Sequence, residues 1–210
     1  MTKQTTMTPP PQARQEGSNA ARAGDAGSQV ETWQIDPAHT NAQFAVRHLM
    51  ISTVRGRFGA LSGTVTIDRR DPSRSTVEVS IDVTSIDTRE PQRDTHLRSA
   101  DFFDAARWPV MTFRGRRIEG DPHDRFRLIG DLTIREVTRE VVLDVEAQGA
   151  GPDPWGNYRA GYEAKGRIDR RDFGLLWNQA LETGGLVVGD EVKITIDVEL
   201  LRPIDKAKAA

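Results

Sequence analysis

Between Val192 and Leu200 the chain alternates strictly. Val192, Ile194, Ile196, Val198 and Leu200 are apolar, and Lys193, Thr195, Asp197 and Glu199 between them are polar or charged. Successive side chains leave an extended strand in opposite directions, so this pattern gives one dry face and one wet face only in a β-strand. The same period recurs along most of the chain. Val77, Val79, Ile81 and Val83 alternate with Thr76, Glu78, Ser80 and Asp82. Phe126, Leu128, Gly130, Leu132 and Ile134 form a third run and Val141, Leu143 and Val145 a fourth, with Glu136 to Arg139 as the expected turn of a hairpin. Tyr158, Ala160, Tyr162, Ala164, Gly166 and Ile168 share a face opposite Arg159, Glu163, Lys165 and Arg167. Two further runs are Ala42, Phe44, Val46, His48 and Leu61, Gly63, Val65, Ile67, and weaker strands are expected around Trp33 to Ile35 and Val110 to Arg114.

About eight strands, each with one polar face, must hide their edges by closing into a barrel or by packing as two sheets. A closed barrel of that size is either just filled by its own side chains or holds one small ligand. The 37% apolar content is too low for a sheet covered by helices on both faces. The fold class expected is therefore all-β, with a single short helix near 91–103, where Pro91 stands near the start and Leu97, Ala100 and Phe103 fall roughly on one side.

The domain is expected to run from 30 to 203. Residues 1–29, rich in Pro, Gln, Thr, Ala and Gly, read as a disordered tail, and 204–210 as a polar tail. No basic start followed by an apolar core and cleavage site is visible, and no apolar run reaches bilayer-spanning length, so a soluble, cytoplasmic protein is expected. A formal charge of -2 argues against nucleic acid as a partner. With no cysteine there is neither disulfide nor thiolate nucleophile.

Taken in order, the segments WQIDPAHTNAQFAVRHL (33–49), VRGRFGALSGTVTID (54–68), SIDTREPQRDTHLRSADFFD (85–104), WPVMTF (108–113), GDLTIREVT (130–138), RRDFGLLWN (170–178) and VGDEVKITIDVEL (188–200) closely resemble the YceI-like family of polyisoprenoid-binding proteins. The resemblance covers Trp33 to Leu201. It implies an elongated, lipocalin-like barrel of eight antiparallel strands whose cavity holds a long isoprenoid, including isoprenoid quinones, for storage or transport, with no cofactor beyond that lipid. Thr40 stands where the family commonly has serine, and Glu136 where it often has glycine. Many relatives are exported with a signal peptide, so a periplasmic setting is not implied for this chain.

Inward positions give the cavity candidates: Phe44, Val46, His48, Phe58, Phe113, Leu132, Tyr158, Tyr162, Ala164, Phe173 and Trp177. For any one aromatic, a core or barrel-end plug is the simpler reading. The small inward groups Gly63, Gly130, Ala160, Ala164 and Gly166 suggest volume that a ligand fills, unless glycine serves only barrel curvature. His48, on the face of Phe44 and Val46, is expected to be a buried histidine bonded to backbone or to a carboxylate such as Asp94. His39 is expected to bond at a strand end and His96 to cap or tether. Four histidines without a recognisable ligand spacing suggest no metal. The basic runs Arg114–Arg117 and Arg167–Arg171 read either as a head-group site or as solvated strand ends. A carrier needs no catalysis, and no enzyme is expected. The competing readings are a lipid-modifying enzyme using His48, His96 and Asp94, and a filled barrel acting as an interaction module. A homodimer through an exposed strand is left open.

Overall fold

The computed structural model describes residues 30–71, 74–180 and 186–203; the two tails expected from the sequence lie outside these residues. Extended segments dominate: β1 (Val30–Ile35), β2 (Asn41–His48), β3 (Ser52–Phe58), β4 (Leu61–Asp68), β5 (Thr76–Asp82), β6 (Ile86–Asp87), β7 (Val110–Gly120), β8 (Arg125–Ile134), β9 (Val137–Pro152), β10 (Asn157–Asp169) and β11 (Val188–Pro203). One α-helix, α1 (Pro91–Arg98), lies between β6 and β7.

These eleven segments make eight barrel strands, because three strands are each broken once. β1 and β2 run along the same edge of β11, β4 and β3 pair with β1 and β2, and β5 and β6 pair with β4 and β3. From β7 to β11 each strand pairs with the next, and β1 pairs with β11 at Gln34↔Leu201 and Ile35↔Leu200. The result is a closed antiparallel barrel in simple up-and-down order. The breaks lie on neighbouring strands, so they form one bend line. At the first, Asp36-Pro37 starts a turn in which Asp36 Oδ1 accepts the Ala38 N–H at 3.0 Å. At the other two, Gly59 N–H donates to the Ser85 carbonyl (3.2 Å), Ala60 N–H to Ser85 Oγ (3.0 Å) and Asp82 N–H to the Ala60 carbonyl (2.9 Å). The backbone groups that leave the ladder thus find partners across the bend.

The alternation read from sequence matches the inner and outer faces. Ala160 and Ala164 are buried inward, and the opposite face of β10 carries Arg159, Glu163, Lys165 and Arg167. The β8–β9 turn comes one residue earlier than expected: Ile134 pairs with Val137, leaving Arg135 and Glu136 as the connection, with Arg135 at φ 57°.

The helix ends at Arg98, five residues short of the expected 91–103. Ser99 leaves helical geometry and accepts back-bonds from Phe102 and Asp104, while Asp104 stands at φ 48°. Leu97, Phe102 and Phe103 still bury apolar surface, but the last two do so from a turn, which mimicked helical spacing. The helix is fixed by Asp94, which accepts the Thr88 N–H at 2.9 Å and the Thr88 hydroxyl at 2.5 Å. Arg98 donates to the carbonyls of Thr84 and Ile86, both at 3.0 Å. Replacing Asp94 with alanine leaves two buried donors of Thr88 unpaired and is expected to destabilise by about 1–3 kcal/mol, measured by urea unfolding.

Candidate functional site

The inner wall of the barrel holds two apolar clusters. One, toward the helix end, contains Phe58, Val83, Ile86, Met111, Phe113, Leu132 and Phe173; the other, toward the chain termini, contains Trp33, Ile35, Leu61, Ala160 and Leu200. Val79, Ile81, Tyr162 and Ile196 pack against both. These four bridging side chains are only half-buried although their strand register points them inward. The same holds for Phe44, Val46, Val65, Val77, Phe126 and Leu128. In a core packed to normal interior density such residues would be sealed, so the inner wall keeps apolar surface that neighbouring side chains do not cover. Burial pushes the Tyr162 phenol up from its ordinary value, and its hydroxyl makes no hydrogen bond among the described residues.

Glycine does not create this space. A Cβ at Gly63 would meet Ile35 Cδ1 at 2.8 Å, one at Gly130 the Phe113 ring at 2.6 Å, and one at Gly166 Leu143 Cδ2 at 2.7 Å. At these three glycines larger neighbours already occupy the room, contrary to the expectation of unfilled volume there.

Both ends of the barrel carry aromatic groups. At the terminal end, the Arg202 guanidinium lies 5.0 Å from the Trp33 ring centre and 5.6 Å from that of Tyr158, and it pairs with Glu31 at 3.3 Å. At the helix end, Phe58 packs against Phe44 and Phe103, and Phe173 is 2% exposed. Trp177 belongs to this plug, not to the lumen wall: its ring stands edge-on to His96 at 4.8 Å and near Phe102 at 5.3 Å. Two open grooves lie on the barrel surface. One, about 470 Å³, runs beside α1 from Thr84 to Arg98, and the other, about 440 Å³, spans β7 to β10 and is lined by Phe126 and Val145 together with charged residues such as Glu119, Arg127 and Lys165.

The histidines differ in their surroundings. His39 Nδ1 bonds Asp36 Oδ2 at 2.8 Å, at a strand end as expected, and His96 Nε2 bonds Asp101 Oδ2 at 2.9 Å, tethering the helix to the turn after it. His48 departs from expectation. It is half-buried at the end of β2, and its ring has no hydrogen bond among the described residues, since Asp94 is committed to Thr88. His48, His96 and Asp94 therefore have no shared hydrogen bond.

A charged cluster that sequence reasoning missed closes the barrel on its outside. Arg159 on β10 donates through Nη1 to Asp36 Oδ2 (2.7 Å) and to Glu199, and through Nε to Asp153 Oδ2 (2.8 Å). Hydrogen bonds from Arg159 and then His39 hold the Asp36 carboxyl down at about 2. Burial acts to raise Asp153, but bonds from Asn157, Arg159 and the Trp155 N–H hold it below the usual carboxylate range. Asp36, His39 and Glu199 could together offer three metal ligands, yet the guanidinium already occupies both carboxylates. The expected basic runs are likewise engaged, with Arg114, Arg116, Arg117, Arg167, Arg170 and Arg171 each paired with an acid.

Residues 33–200 match the YceI-like domain. Protein YceI of Escherichia coli O157:H7 is 41% identical over 153 residues, which cover 71% of this chain and 80% of that protein. Among solved structures, the Campylobacter jejuni YCEI protein superposes with a TM-score of 0.63 at 30% identity, covering 74% of this chain and 89% of that one. A polyisoprenoid binding domain from Saccharophagus degradans shares the fold, with a TM-score of 0.58 at 15% identity, covering 81% and 98%.

Two outcomes follow for the charged groups. Asp36 titrates lower in the folded chain than the ordinary value near 3.9, so its contribution to stability is complete above about pH 4 and is lost as pH falls through about 2. Arg159→Ala is expected to lower the melting temperature at neutral pH and to flatten that acid limb, measured by thermal melts across pH. His48→Ala, with no hydrogen-bond partner among the described residues to orphan, is expected to shift unfolding by no more than about 0.5 kcal/mol.

Proposed function

The chain belongs to the YceI-like family, and from that premise we propose that its barrel binds one long apolar lipid, a polyisoprenoid or an isoprenoid quinone, and stores or carries it without chemical change. The half-buried inner wall carries this reading: Val79, Ile81, Tyr162 and Ile196 point into the barrel from three strands and keep surface that side chains of the chain itself do not cover. An apolar chain is the ligand such a wall suits, because water there gains few hydrogen bonds. Each isoprene unit taken from water would contribute on the order of 3 kcal/mol before ordering costs, so affinity grows with chain length until the lumen is full. A solved domain of the same fold is named a polyisoprenoid binding domain, which agrees with this ligand class. The proposal calls on no catalytic group, and His96 and Asp94 are already committed to Asp101 and Thr88.

A substitution at the waist of the lumen tests it. Val79→Phe places a ring where the proposed lipid runs. The expected outcome is a ligand-free melt within about 1 kcal/mol of the parent, with affinity for isoprenoid alcohols of increasing length falling most for the longest, read by tryptophan fluorescence. In a filled barrel the same ring overpacks and destabilises by roughly 1–3 kcal/mol, and that result, or equal losses at every length, overturns the proposal. Ala164→Phe is the control, since Ala164 is 6% exposed between Val145 and Ile196 and should show the overpacking cost in either case.

A further inference from the structure

At the helix end of the barrel, the connection between β2 and β3 turns apolar side chains into solvent. Met50 is 60% exposed and Ile51 81%. Ile51 N–H donates to the His48 carbonyl at 3.2 Å, closing a turn whose central residues, Leu49 and Met50, stand at φ 51° and 58°. Turns of this kind are made without strain by Asn-Gly, whereas larger L side chains resist a positive φ. The chain thus displays Met and Ile, with Leu49 half-buried beside them, where small polar residues would fit more easily. Neither Met50 nor Ile51 packs into either core cluster, so folding supplies no reason for them.

The turn is held in place: Leu49 N–H donates to the Val187 carbonyl at 2.9 Å, and Arg47 Nη2 donates to the Met50 carbonyl. Next to Val187, Leu186 is a further apolar side chain, 42% exposed. On the adjoining outer face, Arg55, Ala45 and Lys193 form one row across β3, β2 and β11, and Arg47 is the next outward residue of β2 toward the turn. All three cations are exposed. Among the described residues Arg47 bonds the Met50 carbonyl and the Thr53 hydroxyl, and Arg55 and Lys193 have no ion pair. This contrasts with the surrounding acids, for Asp87 is held by Arg57, Glu191 by Arg167, and Asp190 by Arg170 and Arg171.

We propose that this end of the barrel docks on an anionic lipid bilayer, with Leu49, Met50 and Ile51 entering the headgroup layer and Arg47, Arg55 and Lys193 facing lipid phosphates. Charge complementarity selects this occupant. Basic groups beside an exposed apolar tip gain from both the surface potential and the acyl boundary of such a bilayer. A second copy meeting the same face about a two-fold axis would oppose these unpaired cations to themselves. The docking surface stands on the tip and the row of cations alone; only its use, passing a lipid between bilayer and lumen, rests on the proposed function.

Flotation of the full chain with vesicles decides it. The parent should float with mixed phosphatidylcholine–phosphatidylglycerol vesicles, stay behind with phosphatidylcholine alone, and come off as salt is raised. Both Met50→Asn with Ile51→Ser and Arg55→Glu with Lys193→Glu change exposed residues, and each pair should weaken flotation roughly tenfold or more, while circular dichroism and melting stay as in the parent. A parent that ignores anionic vesicles, or pairs of substitutions that leave flotation unchanged, overturns the docking proposal. So does a parent whose sedimentation shows a dimer that either pair dissolves without any vesicle binding, since the face is then a self-interface. Isoprenoid binding measured on the same variants reports on the lumen separately. Lost flotation with retained isoprenoid is the expected pattern, and an empty lumen with intact flotation would fell the proposed function alone.

Discussion

The barrel depends on β11 holding two different strands along one edge. Its other edge pairs with β10 without interruption from Asn157↔Pro203 to Asp169↔Glu191. On the closing edge it pairs with β2 from Asp197↔Asn41 back to Val188↔His48 and with β1 only at Leu200 and Leu201. Between them lies the break at Asp36 to Thr40, where the ladder would otherwise open and leave unpaired backbone groups. Four bonds close the gap: Asp36 N–H to the Glu199 carbonyl at 2.8 Å, Glu199 N–H to Thr40 Oγ1 at 3.2 Å, and the two by which Arg159 clasps Asp36 and Glu199. The clasp sits on the outer face, so the inner face at the same level stays apolar, with Ile35, Ala42, Ala160 and Leu200 buried there.

Much of this was legible in the chain. Period-two alternation gave the faces of β5, β10 and β11, where one face is apolar and the other wet, and of β8 except at Ile129, which shares the row of Arg127 and Asp131 and is 1% exposed. What alternation cannot show is where a strand bends and continues, so the three broken strands were invisible as pairs. It is also blind to contacts between distant segments. The clasp joins residues 36, 153, 159 and 199, and Arg159 looks in sequence like any other outward charge of β10. The one local signal was Asp36-Pro37 followed by His39 and Thr40, whose hydroxyl proves to be used. Inward glycines misled for a related reason. Counting small residues says nothing of which larger neighbour leans over them, as Phe113 does at Gly130. Trp177 misled as well, since a residue beyond the last turn of β10 can fold over the barrel end and stack on a helix.

The two ends of the barrel are built differently. At the terminal end a cation lies across two rings, Arg202 over Trp33 and Tyr158, with Glu31 to hold its charge. At the helix end the closure is a plug of short elements, α1 with the turn after it and the segment from Arg170 to Trp177, fastened by Arg170 to the carbonyls of Trp177 and Gly189 and to Asp190. Segments fixed by a few side-chain bonds open locally at lower cost than a continuous ladder does. Beside them, His48 stands half-buried, with no ring hydrogen bond among the described residues.

Occupancy of the lumen by one long lipid is the central claim. Native mass spectrometry of the chain, exposed to isoprenoids in mild detergent and then freed of it, tests that claim most directly. One isoprenoid retained per chain, released on acid unfolding and excluded by a longer-chain competitor, is the predicted result. A spectrum of bare protein at every isoprenoid length, from chains whose circular dichroism shows the barrel intact, would contradict it.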